Sequence, residues 1–399
     1  MKAHRTASWA GALAALALVA TACGGGSEVE AGPTPTLTKP PIKIGNVGSY
    51  SGFAGTTSKA SVDAVRAWAK QTNAAGGING HPVEVVVRDD QSQAPKAIAA
   101  VKDLVENEKV IAIVGQHEAG LEGSWASYVS AMKIPVIGGN ASGAVWLTNP
   151  NFFPTTLTTL NYLTITANTT RVAGKSAYGI VFCAEVPGCA EAVPATRGVA
   201  QKLGIRFVGG QALSASAPSY AAQCIALRKS GADTIFVATA QETGLRFSAD
   251  CAKQGYRPTL LQSGQSWSED QLKNTATDGL WIASDSALWV GDSAPVKQYR
   301  EAMEKYAPDS LLNGSGTAGW TGAVVFGKAL ANISAQPTSE DVYKGLYALG
   351  PNYSADGMIP PVTFAKDKPA VQKPCGWYAQ VKGGDLTTPK GAGQICVGG

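Results

Sequence analysis

The chain has 399 residues, which exceeds what one small hydrophobic core needs and suits a molecule with two lobes. It is 45% hydrophobic and 16% charged, with a formal net charge of +4 and no dense basic run, so nucleic-acid binding is not indicated. Three histidines in the whole chain argue against a histidine-built metal site, and we expect neither a metal nor a cofactor.

The N-terminal residues have the three-part layout of a secretory signal peptide. Lys2 and Arg5 form a positive region, an Ala- and Leu-rich apolar stretch follows, and small residues precede Cys23. A cysteine at this junction resembles the lipobox of bacterial lipoproteins, in which the thiol is acylated. A plain signal peptide with an incidental cysteine is the alternative. We predict a lipoprotein signal peptide over residues 1–22 and a lipid anchor at Cys23 on the outer face of the cytoplasmic membrane.

Residues 23–41 are rich in Gly, Pro and Thr and predict a flexible tether. Export favours disulfides, and six of the seven cysteines follow Cys23. An even number predicts three bridges, although several pairings are open. No Cys-x-x-Cys pair supports zinc instead. We favour pairing in chain order, because the first two flank a short loop, the next two lie on successive predicted helices and the last two bracket a predicted hairpin: Cys183 with Cys189, Cys224 with Cys251, and Cys375 with Cys396.

From Ile42 onward, short apolar strands alternate with amphipathic helices. The first strands are predicted at "IKIGNVG", "PVEVVVRDD", "VIAIVG" and "IPVIGG". A second set begins near residue 160, with strands at "SAYGIVF", "RFVGGQAL", "DTIFVAT" and "TLLQSG". Near-continuous apolar strands joined by helices predict an α/β fold of two Rossmann-like lobes, each a doubly wound parallel sheet. In such sheets ligands lie outside the carboxyl ends of the strands, so a cleft between the lobes is the expected site.

Several of these segments share a family resemblance. The stretches "IKIGNVGSYSGFAG", "AGGINGHPVEVVVRDD", "VIAIVGQHEAG" and "IPVIGGNAS" resemble the type I periplasmic solute-binding proteins, in the Leu/Ile/Val-binding branch of the ABC transporter substrate-binding lipoproteins. The resemblance covers roughly residues 42–380. It implies three crossings between the lobes, near residues 157, 285 and 358, and closure on the ligand by hinge bending. The implied lobes are 42–157 with 286–357, and 158–285 with 358–399.

The resemblance also implies ligand contacts at two strand ends. In "IGGNAS", Asn140, Ala141 and Ser142 would meet the ligand through backbone N–H groups and a hydroxyl, at the start of a helix predicted over "SGAVWLT". A simple helix N-cap by Asn140 or Ser142 is the alternative. In "VGQHEAG", Glu118 and Ala119 stand where the family has ligand-contacting groups, with a solvated loop charge as the alternative for Glu118. The neighbouring His117 is expected to be a surface loop residue.

Other loops supply the remaining site residues that the resemblance implies. Ser51 and Phe53 would line the pocket, although Phe53 packing under its loop is an equal alternative. Gln241 falls where the family often has an aromatic residue. Gln265 falls where amino-acid binders hold a carboxylate against the ligand's ammonium group, with Trp267 expected near the pocket rim.

The glutamine at position 265 bears on the solute. A buried ammonium without a paired carboxylate is strongly destabilised, so the sequence argues against a free α-amino acid unless Glu118, Glu185 or Glu242 substitutes. The pocket is expected to be neutral and polar. It would suit an amide, an organic or aromatic acid, or another amino-acid-like solute.

These observations favour a non-catalytic, lipid-anchored monomer that delivers a small solute to an ABC permease and its cytoplasmic ATPase. A ligand-binding sensor for a membrane signalling partner is one alternative. An exported hydrolase is another, but after the signal peptide only His81 and His117 offer imidazole bases. The "GSGTAG" stretch at residues 314–319 matches a dinucleotide-binding pattern, yet no strand is predicted before it, so we interpret it as a helix start.

Overall fold

A computed structural model describes residues 37–51, 55–118, 120–185, 187–333 and 335–398. The predicted signal peptide, Cys23, most of the tether, Phe53 and Ala119 lie outside these ranges. The last tether residues contact the fold, since the carbonyl oxygen of Pro40 lies 2.9 Å from Nδ1 of the buried His81.

The first sheet has five parallel strands in the order β2-β1-β3-β4-β5. Its strands are short and largely buried because helices cover both faces. They are β1 (Ile42–Gly48), β2 (Val83–Asp89), β3 (Ile113–Gln116), β4 (Val136–Gly139) and β5 (Phe152–Phe153). The helices between them are α1 (Gly55–Ala74), α2 (Ala94–Glu106), α3 (Ala126–Ala131) and α4 (Val145–Thr148).

The second sheet contains five parallel strands in the order β7-β6-β8-β9-β10, which repeats the winding of the first sheet. They are β6 (Ala177–Cys183), β7 (Arg206–Leu213), β8 (Thr234–Ala238), β9 (Thr259–Ser263) and β10 (Trp281–Ser284). Four helices accompany them, α5 (Thr159–Val172), α6 (Pro187–Lys202), α7 (Ala221–Ser230) and α8 (Gln241–Lys253). The α/β class and the parallel sheets predicted from the sequence are confirmed.

After β10 the chain contributes to the first sheet again. Three helices follow, α9 (Ala294–Tyr306), α10 (Gly314–Ala329) and α11 (Ser339–Ala348), and α10 packs against α1, β3 and β4. A two-stranded ribbon then leads back to the second sheet, where β13 pairs antiparallel with β10. These last strands are β11 (Val362–Ala365), β12 (Lys368–Gln372), β13 (Cys375–Lys382), β14 (Asp385–Thr387) and β15 (Ile395–Cys396).

The "GSGTAG" stretch begins α10, as interpreted from the sequence. Its glycines allow close packing: a Cβ on Gly319 would lie 2.3 Å from the carbonyl oxygen of Ser61 in α1. The stretch is therefore a buried helix contact.

Several element boundaries differ from the predicted ones. Strand β3 begins at Ile113 instead of Val110, because the N–H of Val110 donates to the carbonyl of Leu104 at the end of α2. Helix α6 begins earlier than predicted, at Pro187, since proline is well tolerated in the first turn of a helix. The predicted position of Trp267 near the pocket rim is wrong: its side chain is fully buried and stacks on Trp289, with ring centroids 6.1 Å apart.

The structure joins the six cysteines in the three predicted pairs. One bridge ties the end of β6 to the start of α6, the second links α7 to α8, and the third links β13 to β15. Within the described ranges, none of the helices combines the length and apolar character needed to cross a membrane.

Candidate functional site

A cavity of about 440 Å³ lies where the carboxyl ends of the two parallel sheets meet. Residues that follow β3 and β4 form its first wall, together with residues at the start of α1. Residues at or just after the ends of β8, β9 and β10 form its second wall, and residues around the start of α5 complete the cavity. This is the edge at which open α/β sheets bind ligands. The lining consists of Thr57, Ser58, His117, Glu118, Asn140, Ser142, Leu157, Thr159, Tyr162, Ala238, Ser263, Gln265, Ser266 and Asp285.

The two glycines of "IGGNAS" serve the protein's own packing. Both have a positive φ, 66° at Gly138 and 89° at Gly139. A Cβ on Gly139 would lie 1.8 Å from the carbonyl oxygen of Gln116, and one on Gly138 would lie 2.4 Å from the Cα of Gly322 in α10. The glycines therefore let β4 approach β3 and α10.

The backbone geometry after these glycines differs from the helix-start site expected from the sequence. Helix α4 has four residues and begins at Val145, so it offers no extended dipole at Ser142. The N–H of Asn140 donates to the carbonyl of Gln116 at 3.0 Å. The alternative N-cap is also absent, since the residue at the cap position is Ala144 and it makes no side-chain cap hydrogen bond.

Gln116 holds the two cavity turns together, and sequence reasoning missed it. Its Nε2 donates to the carbonyl of Asn140 at 2.6 Å, and its Oε1 accepts the N–H of Glu118 at 3.1 Å. The side chain is fully buried at the end of β3. Gln116 is thus a positioning residue for Asn140 and Glu118.

Glu118 is a buried cavity residue instead of a solvated loop charge. Its carboxylate accepts the indole N–H of Trp125 at 2.9 Å, and the residue is 1% exposed. Burial raises the pKa of Glu118 well above 4.5, and the neighbouring carboxyls of Glu122 and Asp90 raise it further.

The expectation that His117 is a surface residue is wrong. Its side chain is buried and lines the cavity, with Nε2 3.5 Å from the hydroxyl of Ser315 in α10. Burial lowers the pKa of His117 to about 4, so the ring is neutral at physiological pH.

The opposite wall contains a carboxyl group that sequence reasoning missed. Asp285 follows β10 directly and is 5% exposed; its Oδ2 accepts the side-chain N–H of Gln265 at 2.6 Å. Burial raises the pKa of Asp285 to about 7, while the hydrogen bond from Gln265 opposes this rise. The signal that could have found Asp285 was its place at the carboxyl end of a parallel strand. Carboxyl groups therefore line both walls, in addition to the neutral polar side chains that the sequence predicts.

The predicted site residues separate into two groups. Glu118, Asn140, Ser142 and Gln265 line the cavity. Four others are not among the lining residues. Ser51 is exposed and donates a hydrogen bond to Asp89, and Ala141 is buried beside the turn. Gln241 is the first residue of α8. Glu185 is exposed and accepts hydrogen bonds from Ser214 and Ala215. Glu242, in the first turn of α8, is not a lining residue either.

A family model described as periplasmic binding protein matches residues 41–385. Among curated proteins, an "Amino acid binding protein" from Pseudomonas aeruginosa is 45% identical over 47 residues, which are 12% of this chain and 13% of that protein's length.

Solved structures share the fold over almost the whole length. A fatty acid ABC transporter substrate-binding protein from Thermomonospora curvata superposes with a TM-score of 0.72 at 22% identity, covering 91% of this chain and 92% of that one. A branched chain amino acid ABC transporter from Thermus thermophilus with bound valine gives a TM-score of 0.77 at 16% identity, covering 90% and 97%.

Proposed function

Because the chain belongs to the periplasmic binding protein family, we propose that it is an exported, non-catalytic receptor that captures a small organic solute between two lobes. The carrying observation is the cavity of about 440 Å³ whose walls come from the strand ends of both sheets. Its size suits one small molecule, and twelve of its fourteen lining residues have polar side chains that can pair with polar groups of the solute. Binding then derives from burial of the solute and pairing of its polar groups.

The proposed ligand contacts are the predicted residues that reach the cavity, with one addition. Glu118, Asn140 and Ser142 act from the first wall, and Gln265 and Asp285 from the second. Phe53 and Ala119 remain predictions from the family resemblance.

We place the lobe crossings near residues 157, 285 and 358, as the family resemblance implies. Two of these crossings bring residues into the cavity lining, Leu157 and Asp285. A solute that contacts both walls and the crossing residues would favour a closed arrangement, which is how hinge closure is coupled to binding.

The proposed role is delivery of the solute to an ABC permease and its ATPase by a monomer anchored through Cys23. Both similar structures named above are described as parts of ABC transporters, which supports transport over the alternative of a membrane sensor. The solute class is an amide, an organic or aromatic acid, or an amino-acid-like compound. The names of those two proteins, with a fatty acid and with valine, support small organic solutes as a class.

A thermal-shift screen of amino acids, amines, amides and organic acids tests the function, because a ligand of the native state raises the melting temperature. We expect one solute class to raise the melting temperature and to show binding by calorimetry. Solution scattering should show that the protein becomes more compact when this solute binds. The solute should be recovered chemically unchanged. Turnover of the solute would favour the exported hydrolase.

The position of the site is tested by Ser142→Ala. Loss of one hydrogen bond to the solute should weaken binding by about 1 kcal/mol. Ser293→Ala is the matched control, because Ser293 is exposed and makes no cap hydrogen bond at α9. Equal affinities for the two variants would remove Ser142 from the site.

A further inference from the structure

We propose that the solute carries a protonated amine and that Asp285 is its acceptor. The proposal rests on the proposed function and narrows the solute to amine-bearing compounds, excluding acids without an amine. Position 265, where the family resemblance places the acidic partner, is a glutamine here, and the acid lies one strand further along the chain.

The two oxygens of Asp285 differ in their contacts. Oδ2 accepts the hydrogen bond from Gln265, whereas Oδ1 is buried and has no hydrogen-bond partner within the described part of the chain. An unpaired buried carboxyl oxygen is costly, and native proteins seldom leave one without a reason. Since Asp285 lines the cavity, a bound N–H donor would satisfy this oxygen.

A second buried oxygen on the same cavity lining is the hydroxyl of Tyr162, which lies beside the hydroxyl of Ser263. Burial and the nearby Asp285 carboxyl raise the pKa of Tyr162, although Ser263 opposes the rise, so the phenol is neutral and its oxygen can accept a hydrogen bond. An ammonium group has three donors and can serve Asp285 and Tyr162 together.

The charge of the lining favours the same solute. No lysine or arginine is among the described lining residues, whereas Glu118 and Asp285 contribute carboxyl groups from opposite walls. A solute whose only charge is negative would meet no cation there. A protonated amine complements these carboxyls and restores their ionised forms.

The test uses the mature protein with a library in matched sets on one carbon skeleton: pentylamine, 1,5-diaminopentane, 5-aminopentanoate, pentanamide and pentanoate, with larger aliphatic and aromatic sets built the same way. We expect the compounds that bind to contain an amine. Asp285→Asn, which keeps an acceptor for Gln265 and removes the charge, should weaken them at least tenfold. Asp292→Asn, at an exposed aspartate, should bind like the wild type.

Binding of a pentanoate-type acid or a pentanamide-type amide without an amine would overturn the proposal and leave the receptor function intact. Equal affinity of an amine for wild type and Asp285→Asn would also overturn it. Absence of binding across all the sets would count against the receptor function itself.

The pH dependence of an amine's affinity for the wild-type protein gives a second readout that needs no variant. An amine binds ionised Asp285, whose pKa is raised to about 7 in the empty site, so affinity should rise with pH, by about tenfold per pH unit below pH 7 for this group. Glu118, whose pKa is also raised, acts with the same sign, and His117, with a pKa of about 4, stays neutral throughout. Affinity that falls with rising pH would contradict the proposal.

Discussion

At the scale of single residues, three buried carboxyls lie near one another: Glu118 on the first wall, with Glu122 and Asp90 outside the cavity lining. Among the described residues no salt bridge joins any of them to a lysine or arginine. Burial raises the pKa of Glu122 to about 7, although hydrogen bonds from Trp146 and Gln116 oppose the rise. Such a group stabilises the fold when protonated.

Glu122 therefore makes the stability of the fold decrease as pH rises. Its folded pKa exceeds the unfolded value, so the native state binds more protons and the free energy of unfolding falls as pH rises from about 4.5 to about 7. Glu122→Gln should remove this contribution. Between pH 4.5 and pH 8, the free energy of unfolding of the variant should increase relative to that of the wild type by up to about 3 kcal/mol, measured by urea unfolding at each pH.

Glu301→Gln, at an exposed glutamate on α9, is the control and should leave the pH profile unchanged. If the free energies of unfolding of Glu122→Gln and wild type differ by the same amount at every pH in this range, the pKa of Glu122 is not raised by folding.

Part of the cavity lining could be predicted from the sequence. Glu118, Asn140, Ser142 and Gln265 reached the cavity because strand ends in a parallel sheet converge on one edge. Asp285 was not predicted because the family resemblance places the acidic partner at position 265. The hydrogen bond between Gln265 and Asp285 joins residues 20 positions apart, and a local sequence pattern does not predict such a contact.

At the scale of secondary-structure elements, the bridge between Cys224 and Cys251 joins α7 to α8 across a separation of 27 residues. In the chain-entropy description, closing a loop of this length stabilises the native state by about 3 kcal/mol. Reduction with dithiothreitol should lower the free energy of unfolding by that amount beyond the effect of the other two bridges. The double variant Cys224→Ala/Cys251→Ala should lack this part of the response.

Cys183→Ala/Cys189→Ala is the matched comparison, because that bridge closes only 6 residues and should contribute about 2 kcal/mol. Mass mapping of the unreduced protein provides the direct check. Free thiols at Cys224 and Cys251 would overturn this pairing.

Most strands and helices followed from apolar periodicity, and the exceptions have local causes. Strands β1 and β7 match the predicted segments residue for residue. The predicted helix over "SGAVWLT" is shortened at its start, because α4 begins at Val145 instead of Ser142 and ends at Thr148 as predicted. The carbonyl oxygen of Ser142 accepts the hydroxyl of Thr159, a tertiary contact that periodicity does not contain.

At the scale of the whole molecule, two sheets wound in the same order place two sets of strand ends around one cavity. Alternating strands and helices predicted the sheets. They did not predict that α10 would pack on β3 and β4, because those contacts span some 200 residues of sequence and were expected only through the family resemblance.

At the same scale, the proposed lipid anchor at Cys23 can be tested on the N-terminal peptide of the protein. Two acyl chains on one cysteine give stable anchoring, because each buried CH₂ contributes about 0.8 kcal/mol. We expect the N-terminal peptide of the membrane-extracted protein to begin at Cys23 and to carry the mass of its acyl chains. Cys23→Ser should lack this mass, whereas Ser27→Ala should keep it and stay in the membrane fraction. A mature wild-type peptide with an unmodified Cys23 thiol would contradict lipid anchoring and leave a secreted receptor with an ordinary signal peptide.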